Sequence, residues 1–182
     1  MYSKEFLESL SLTKVNEGIY SNKPNDKGGE TYIGISRKFN PNWSGWTIID
    51  QYKKLPDFPK NLSKIKYLQE LVDSFYYEEF WMKLKCEEIN SPLIKFAVFD
   101  FGVNVGVYDC VKVIQKTIGV AIDGILGSKT LFAINQFPEK LMLSNFDLEK
   151  IERYVEIVDR DNDQLEWFFG WVKRVILNRQ KR

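Results

Sequence analysis

Two carboxylic acids near the start of the chain, Glu17 and Asp26, have the chemistry needed for acid–base catalysis. The sequence contains no histidine, so proton transfer near neutral pH falls mainly to carboxyl groups. A glutamate can do this work when partial burial raises its pKa toward the working pH, whereas unperturbed lysine and tyrosine titrate too high. The segment that contains both acids is therefore the first candidate for an active site.

A pair of carboxyl groups across a cleft is the machinery of glycoside hydrolysis. The protonated acid donates to the leaving oxygen, and the ionised one activates water or stabilises the developing positive charge. Simpler interpretations stay open on spacing alone. Asp26 also suits a turn in the run Asn25-Asp26-Lys27-Gly28, and Glu17 also suits a solvated helix end.

The absence of histidine largely excludes zinc hydrolases, Ser-His-Asp enzymes and Cys-His peptidases, because these enzymes normally use imidazole. Cys86 and Cys110 are too few for a disulfide framework and are expected to be buried free thiols. Residues 159–163 resemble the opening of a calcium loop, but Gly170 replaces the closing glutamate. We expect neither a metal nor a cofactor.

The net charge of the chain and the lengths of its apolar stretches indicate which kinds of partner to expect. The 182 residues include 26 basic and 25 acidic side chains, which gives no electrostatic argument for nucleic acid or an anionic membrane. No apolar stretch approaches the roughly 18 residues that a membrane span needs, and no signal-peptide pattern is present. We expect synthesis in the bacterial cytoplasm, no membrane insertion and no nucleic-acid partner.

The elements that must position the two acids are mainly helical. An apolar stripe predicts a first helix that ends near Glu17, where the helix dipole favours the protonated carboxyl. Turn residues follow, and residues 31–36 predict a short β-hairpin. Ser63 and Ser91 are predicted to cap two later helices, and the second is apolar enough to form the core.

Several motifs in series resemble glycoside hydrolase family 108, the lysozyme-like N-acetylmuramidases of phage endolysins and of bacterial "secretion activator" proteins. The first series is Glu17-Gly18-Ile19-Tyr20, Asn22, Pro24, Asp26, Gly28-Gly29, Thr31 and Gly34-Ile35. The later matches are Tyr76, Phe80-Trp81 and residues 99–106. The C-terminal part resembles the family's companion peptidoglycan-binding region at Gln115, residues 119–120, 123–127, Thr130, residues 133–134, Gly170-Trp171 and Arg174. Two positions depart from the pattern: Ile19 replaces a glycine, and Tyr32-Ile33 replaces an asparagine–aromatic pair.

The resemblance implies a mainly α, lysozyme-like fold with a small β-hairpin near residues 30–36. It implies a muramidase catalytic region over residues 1–107 and a helical peptidoglycan-binding region over residues 108–182 packed on it. The implied reaction is cleavage of the β-1,4 bond between N-acetylmuramic acid and N-acetylglucosamine, with Glu17 as the general acid. Asp26 would position water or stabilise positive charge, and Thr31 would support it by a hydrogen bond.

Four further residues are expected to hold the N-acetyl and hydroxyl groups of the sugar. These residues are Tyr20, Tyr76, Asp100 and Asn104. Asp100 has an alternative, because an acid in an apolar helix also suits the satisfaction of buried donors.

The expected partner is the glycan strand of peptidoglycan, reached after release or secretion, and the expected state is a monomer. Two other functions stay open: a non-catalytic wall-binding or phage structural protein of the same fold, and a lytic transglycosylase. For a hydrolase, a carboxyl separation of roughly 6.5–9.5 Å would indicate inversion and about 5 Å would indicate retention.

Overall fold

The computed structural model describes residues 1–15, 18–22 and 29–180. Glu17 and Asp26 lie outside the described residues. The chain divides into two compact units, one formed by Leu10–Glu78 and the other by Met1–Ser9 with Glu79–Arg182. In both units the described structure is mostly helical, which confirms the predicted mainly α fold class.

The described residues form α-helices joined by short turns and one small sheet. The helices are α1 Lys4–Lys14, α2 Gly45–Tyr52, α3 Lys66–Tyr76, α4 Pro92–Val105, α5 Val107–Ile118, α6 Ser128–Gln136, α7 Glu139–Arg160 and α8 Leu165–Gln180. The strands are β1 Tyr20–Ser21, β2 Thr31–Tyr32 and β3 Ile35–Ser36. A π-helix over Tyr77–Met82 follows α3 directly.

Helix α1 ends at Lys14, three residues before Glu17 and earlier than its apolar stripe predicts. Lys14 lies in the last turn, where a cation interacts favourably with the helix dipole, and it forms an ion pair with Asp73. Leu12 and Val15, which extended the predicted stripe, are exposed. The predicted effect of the helix dipole on Glu17 concerns a residue outside the described ranges and stays a prediction.

The sheet is antiparallel with the order β1-β2-β3, so the predicted hairpin gains a third strand. The hairpin turn consists of Ile33 and Gly34, which have φ angles of 43° and 74°. Two residues with positive φ between antiparallel strands are typical of a type I′ turn, which suits glycine and asparagine better than a β-branched side chain. The hydroxyl of Tyr76 donates to the carbonyl oxygen of Ile33 at 2.7 Å and holds this turn against α3.

The unit Leu10–Glu78 has its own core beneath the sheet. Gly45 opens α2 under the ring of Trp43, where an added Cβ would lie 2.2 Å from a ring carbon. Helix α3 begins at Lys66 after a 3₁₀ turn, so the expected cap at Ser63 was wrong; its hydroxyl instead donates to the Lys60 carbonyl. The buried apolar residues of this unit are Leu10, Tyr32, Ile35, Trp46, Ile49, Leu62, Leu68, Val72 and Tyr76.

The second unit is built around α4, which is buried along most of its length as its apolar sequence predicts. Ser91 caps this helix as expected, because its hydroxyl accepts the Ile94 N–H at 3.1 Å. Cys86 and Cys110 are buried free thiols, and burial raises the pKa of both. Neither thiol therefore has the character of a nucleophile.

Replacing Ile33 by asparagine should stabilise the fold by about 1 kcal/mol, because asparagine tolerates the left-handed backbone that costs a β-branched residue energy. Equilibrium unfolding in urea measures the difference. Ile19→Asn makes the same chemical change at an exposed position without positive φ and serves as the control. A loss of stability in the Ile33 variant would contradict the strain argument.

Candidate active site

The described residues next to the two acids belong to the unit Leu10–Glu78, and the small sheet fixes their positions. Strand β1 begins three residues after Glu17, and it pairs Tyr20 with Tyr32 and Ser21 with Thr31. The backbone N–H of Ile33 also donates to the carbonyl oxygen of Ile19 at 2.9 Å. The pairing therefore brings two of the predicted site residues, Tyr20 and Thr31, onto neighbouring strands.

Tyr20 is half-buried and is held at both ends of its ring. Its hydroxyl donates to Oε1 of Glu30 at 3.1 Å, and its ring packs edge-on against Phe58 with the centroids 4.7 Å apart. Burial, followed by the negative charge of Glu30, raises the pKa of Tyr20. The phenol is therefore a protonated hydrogen-bond donor at neutral pH.

Glu30 is the centre of a charged group that we call the Glu30 cluster, formed with Tyr20, Arg37, Asp50 and Lys53. Only 10% of the Glu30 side chain is exposed. Its Oε1 lies 2.7 Å from Nζ of Lys53 and its Oε2 lies 3.0 Å from Nε of Arg37. The Arg37 Nε–H is not directed at the carboxylate, so this second contact is electrostatic rather than a good hydrogen bond.

Arg37 extends the Glu30 cluster to helix α2. Its two terminal nitrogens form a bidentate pair with Asp50, at 3.1 and 2.8 Å, and its guanidinium lies 4.6 Å from the ring centroid of Trp46. Hydrogen bonds from Arg37 and then Lys53 lower the pKa of Asp50, and the bond with Asp50 raises the pKa of Arg37. Burial by itself would lower the pKa of Lys53, but its bonds to Glu30 and Asp50 outweigh burial and raise it. The cations and Asp50 are thus all ionised at neutral pH.

Thr31 is half-buried on β2, and its Oγ1 donates to the carbonyl oxygen of Gly29 at 3.2 Å. Gly29 has a φ of 66°, a left-handed conformation that glycine adopts at little cost. The hydroxyl therefore supports the sharp entry of the chain into β2. Its expected hydrogen bond in support of Asp26 stays a prediction.

Tyr76 is 1% exposed, and its hydroxyl donates to the Ile33 carbonyl oxygen. Nearby, Nε2 of Gln69 donates to the hydroxyl of Tyr32 at 2.7 Å. Both tyrosines thus hold the hairpin on α3. Contact between Tyr76 and a sugar stays a prediction.

Asp100 and Asn104 lie on α4, in the other compact unit. Asp100 is buried and forms a bidentate pair with Arg174, with Nη2–Oδ1 at 2.8 Å and Nε–Oδ2 at 3.0 Å. Nδ2 of Asn178 donates to the same carboxylate at 2.6 Å. Oδ1 of Asn104 accepts the Tyr154 hydroxyl at 2.7 Å. The surroundings of Asp100 match the alternative of an acid that satisfies buried donors, and its sugar contact stays a prediction.

Glu30, Arg37 and Lys53 are not among the site residues predicted from the sequence. Glu30 directly precedes β2, Arg37 directly follows β3 and Lys53 directly follows α2. No helical or strand periodicity therefore connects the three residues. Only the folding of the chain brings their charges together. A glutamate directly before Thr31 was the one available signal, and a solvated loop acid explains such a residue equally well.

The part of the chain that the structure describes contains no group of three or more histidine, cysteine, aspartate or glutamate side chains suited to a metal ion. In the same residues every helix is too short or too polar to cross a membrane.

Comparisons with known proteins extend these observations. Residues 10–106 match the family model described as glycosyl hydrolase 108, and residues 109–176 match a model described as a predicted peptidoglycan domain. Among solved structures, SagA of Brucella abortus superposes with a TM-score of 0.70 over 97% of this chain and 92% of the SagA chain. The two sequences are 24% identical, so this likeness concerns the fold. None of the curated proteins matches the chain.

Replacing Asp100 by alanine should cost about 3–5 kcal/mol of stability, because it leaves the charge of Arg174 buried without its carboxylate. Equilibrium unfolding in urea measures the loss. Asp159→Ala changes an exposed aspartate on α7 and should stay within about 0.5 kcal/mol of wild type. Equal stabilities of the two variants would show that the pair contributes nothing.

The contribution of Asp50 to the stability of the fold should disappear in acid. A carboxyl whose pKa is lower in the folded state stabilises the fold above its unfolded pKa, and that stability is lost as the pH falls through the folded value. The difference in Tm between wild type and Asp50→Asn should therefore be constant near neutral pH and shrink below the ordinary aspartate pKa of 3.8. An unchanged difference down to about pH 2 would contradict the assignment.

Proposed function

The chain belongs to the glycosyl hydrolase 108 family, and from this premise we propose that it is a muramidase. It would cleave the β-1,4 bond between N-acetylmuramic acid and N-acetylglucosamine. The family match supports a glycoside hydrolase, and the predicted peptidoglycan domain supports a cell-wall substrate. Together the two matches support a peptidoglycan hydrolase, of which the muramidase reaction is the specific form proposed.

Glu17 is the proposed general acid. Its motif Glu17-Gly18-Ile19-Tyr20 lies inside the matched family region, and the chain offers no histidine for the same proton transfer. In this reaction Glu17 donates its proton to the glycosidic oxygen as the bond breaks. Asp26 then stabilises the positive charge on the sugar or orients the attacking water, with Thr31 close in sequence.

The residues that flank the two acids are well anchored, which favours catalysis because reacting groups must be held in place. Tyr20 is tied to the Glu30 cluster and Thr31 to Gly29, on paired strands. This rigidity is the structural support for a site at residues 17–31. Tyr20 and Thr31 each lie on a strand that is paired with its neighbour.

Ile19, the departure from the family pattern beside Glu17, does not argue against activity. Its φ is not positive, so this position makes no use of glycine's conformational freedom. Its side chain is 62% exposed and therefore displaces no core residue. The isoleucine is an exposed residue directly before β1, and the pairing of that strand with β2 is intact.

We assign cleavage to residues 1–107, which contain the first matched region, and wall binding to residues 108–182, which contain the second. In the second region, the buried Gln115 organises the loop before α6. Its Oε1 accepts the N–H groups of Asp123 and Gly124, at 3.0 and 2.9 Å, and its Nε2 donates to Oδ1 of Asp123 at 2.7 Å.

Clearing of purified cell walls, measured as turbidity, tests the catalytic proposal. Wild type should clear the suspension, and Glu17→Gln should be slower by at least about 100-fold, because it loses the general acid. Glu8→Gln, at an exposed position on α1, makes the same change and should clear like wild type. Circular dichroism checks that both variants fold.

Equal clearing by Glu17→Gln and wild type would overturn the role of Glu17. Binding of walls by wild type without clearing would favour a non-catalytic wall-binding protein. Mass spectrometry of the released fragments separates the remaining chemistries, because hydrolysis leaves a reducing muramic end and a lytic transglycosylase leaves an anhydro-muramic end.

A further inference from the structure

Helix α8 carries an apolar stripe, formed by Leu165, Phe169, Val172 and Ile176. Leu165, Phe169 and Ile176 are 47%, 77% and 52% exposed, and Val172 is half-buried. The spacings of four, three and four residues place all four side chains on one face of the helix. Contiguous apolar surface left in water is typical of a site for another macromolecule.

The contacts of α8 within its own unit come from a different face of the helix. Arg174 and Asn178 donate to the carboxylate of Asp100, and the ring of Trp171 stacks on Tyr154 with the centroids 5.2 Å apart. Consecutive residues of a helix are turned by about 100°, so these three residues of α8 lie roughly opposite the apolar stripe. The contacts with Asp100 and Tyr154 therefore do not use the stripe.

Two exposed charges, Glu166 and Lys173, flank one side of the apolar stripe. They are seven residues apart, which is about 10.5 Å along the helix axis and too far for an ion pair between them. The residues three and four positions from them along the chain are Asn162, Asp163, Phe169, Gly170, Ile176 and Leu177. None of these neighbours offers an opposite charge at the spacing that pairs side chains on a helix. An acid and a base beside an apolar seam are typical of a helix that pairs with another helix.

A second copy of α8 that runs in the opposite direction suits both the stripe and the charges. When Phe169 lies opposite Val172 of the second copy, Leu165 lies opposite Ile176. Glu166 of each copy then lies beside Lys173 of the other, and two-fold symmetry forms this ion pair twice. A parallel arrangement would place the same charges of the two copies at the same level and would align their helix dipoles unfavourably.

We propose that α8 binds a second copy of this chain, antiparallel to itself, through the apolar stripe. The helix has 16 residues and is therefore roughly 24 Å long, so the contact is small for a protein interface. We expect dimerisation at micromolar protein concentrations. The proposed dimer differs from the monomer expected from the sequence.

Dimerisation through α8 would affect how the protein holds a polymer. The dimer carries two copies of residues 108–182, the region to which we assign wall binding. Two linked sites bind a repeating polymer more tightly than one site does. This consequence rests on the proposed function, whereas self-association does not, so the two proposals can fail separately.

Sedimentation velocity over a series of protein concentrations tests the inference with the full chain. The mean mass of wild type should rise with concentration toward twice the monomer mass. Phe169→Glu should weaken dimerisation by at least about 10-fold, because it places a charge at the centre of the apolar contact. Phe132→Glu makes the same change at a side chain that is 68% exposed on α6, and this variant should dimerise like wild type. Circular dichroism checks that both variants fold.

Exchange of the two charges tests the antiparallel pairing. Glu166→Lys and Lys173→Glu should each weaken dimerisation by about 5-fold, because each variant places like charges together twice. The double variant restores opposite charges and should dimerise like wild type. The effects of the single variants should shrink in 1 M NaCl, where charges are screened beyond about 3 Å. Failure of the double variant to recover would overturn the antiparallel pairing.

Three other results would overturn the inference. The first is a wild-type protein that stays monomeric up to millimolar concentration, and the second is equal dimerisation of Phe169→Glu and wild type. The third is binding of monomeric wild type, but not of Phe169→Glu, to vesicles of phosphatidylethanolamine and phosphatidylglycerol. In that case the apolar stripe would contact lipid instead of a second copy of the chain.

Discussion

The burial of one negative charge, that of Glu30, organises the region around the candidate active site. A carboxylate with so little access to water is costly unless cations and donors surround it. Lys53, Arg37 and Tyr20 meet this need, and they come from the end of α2, from the turn after β3 and from β1. Satisfying a single acid therefore fixes three separate segments of the chain relative to one another. The short strands alone contribute too few hydrogen bonds to do so.

The second compact unit also contains a buried carboxylate, that of Asp100. The most apolar helix of the protein carries this acid into its interior, and α8 supplies Arg174 and Asn178 to receive it. A buried pair of this kind adds little net stability compared with apolar packing, but breaking it is expensive. It therefore specifies which face of α8 contacts α4. Charge placement, rather than sheet or helix propensity, sets the detailed arrangement within each unit.

The residue types of the chain and its family membership point to the same class of reaction. A chain without histidine must rely on carboxyl groups for proton transfer near neutral pH, and glycoside hydrolysis is a reaction that carboxyl groups perform alone. Membership of the glycosyl hydrolase 108 family supports glycoside hydrolysis as the reaction, and the predicted peptidoglycan domain supports peptidoglycan as the substrate.

Local signals in the sequence were sufficient to predict the helical class, the apolar core helix capped by Ser91 and the hairpin at residues 31–36, whereas the carboxylate chemistry at Glu17 stays a prediction. These features depend on local periodicity, capping and residue type, which are readable along the chain. The burial of Glu30 among cations and the pairing of Asp100 with Arg174 depend instead on contacts that form only in the folded chain. Residues far apart in sequence create each of these environments, and electrostatic partners depend on distance in space, which the order of residues does not contain.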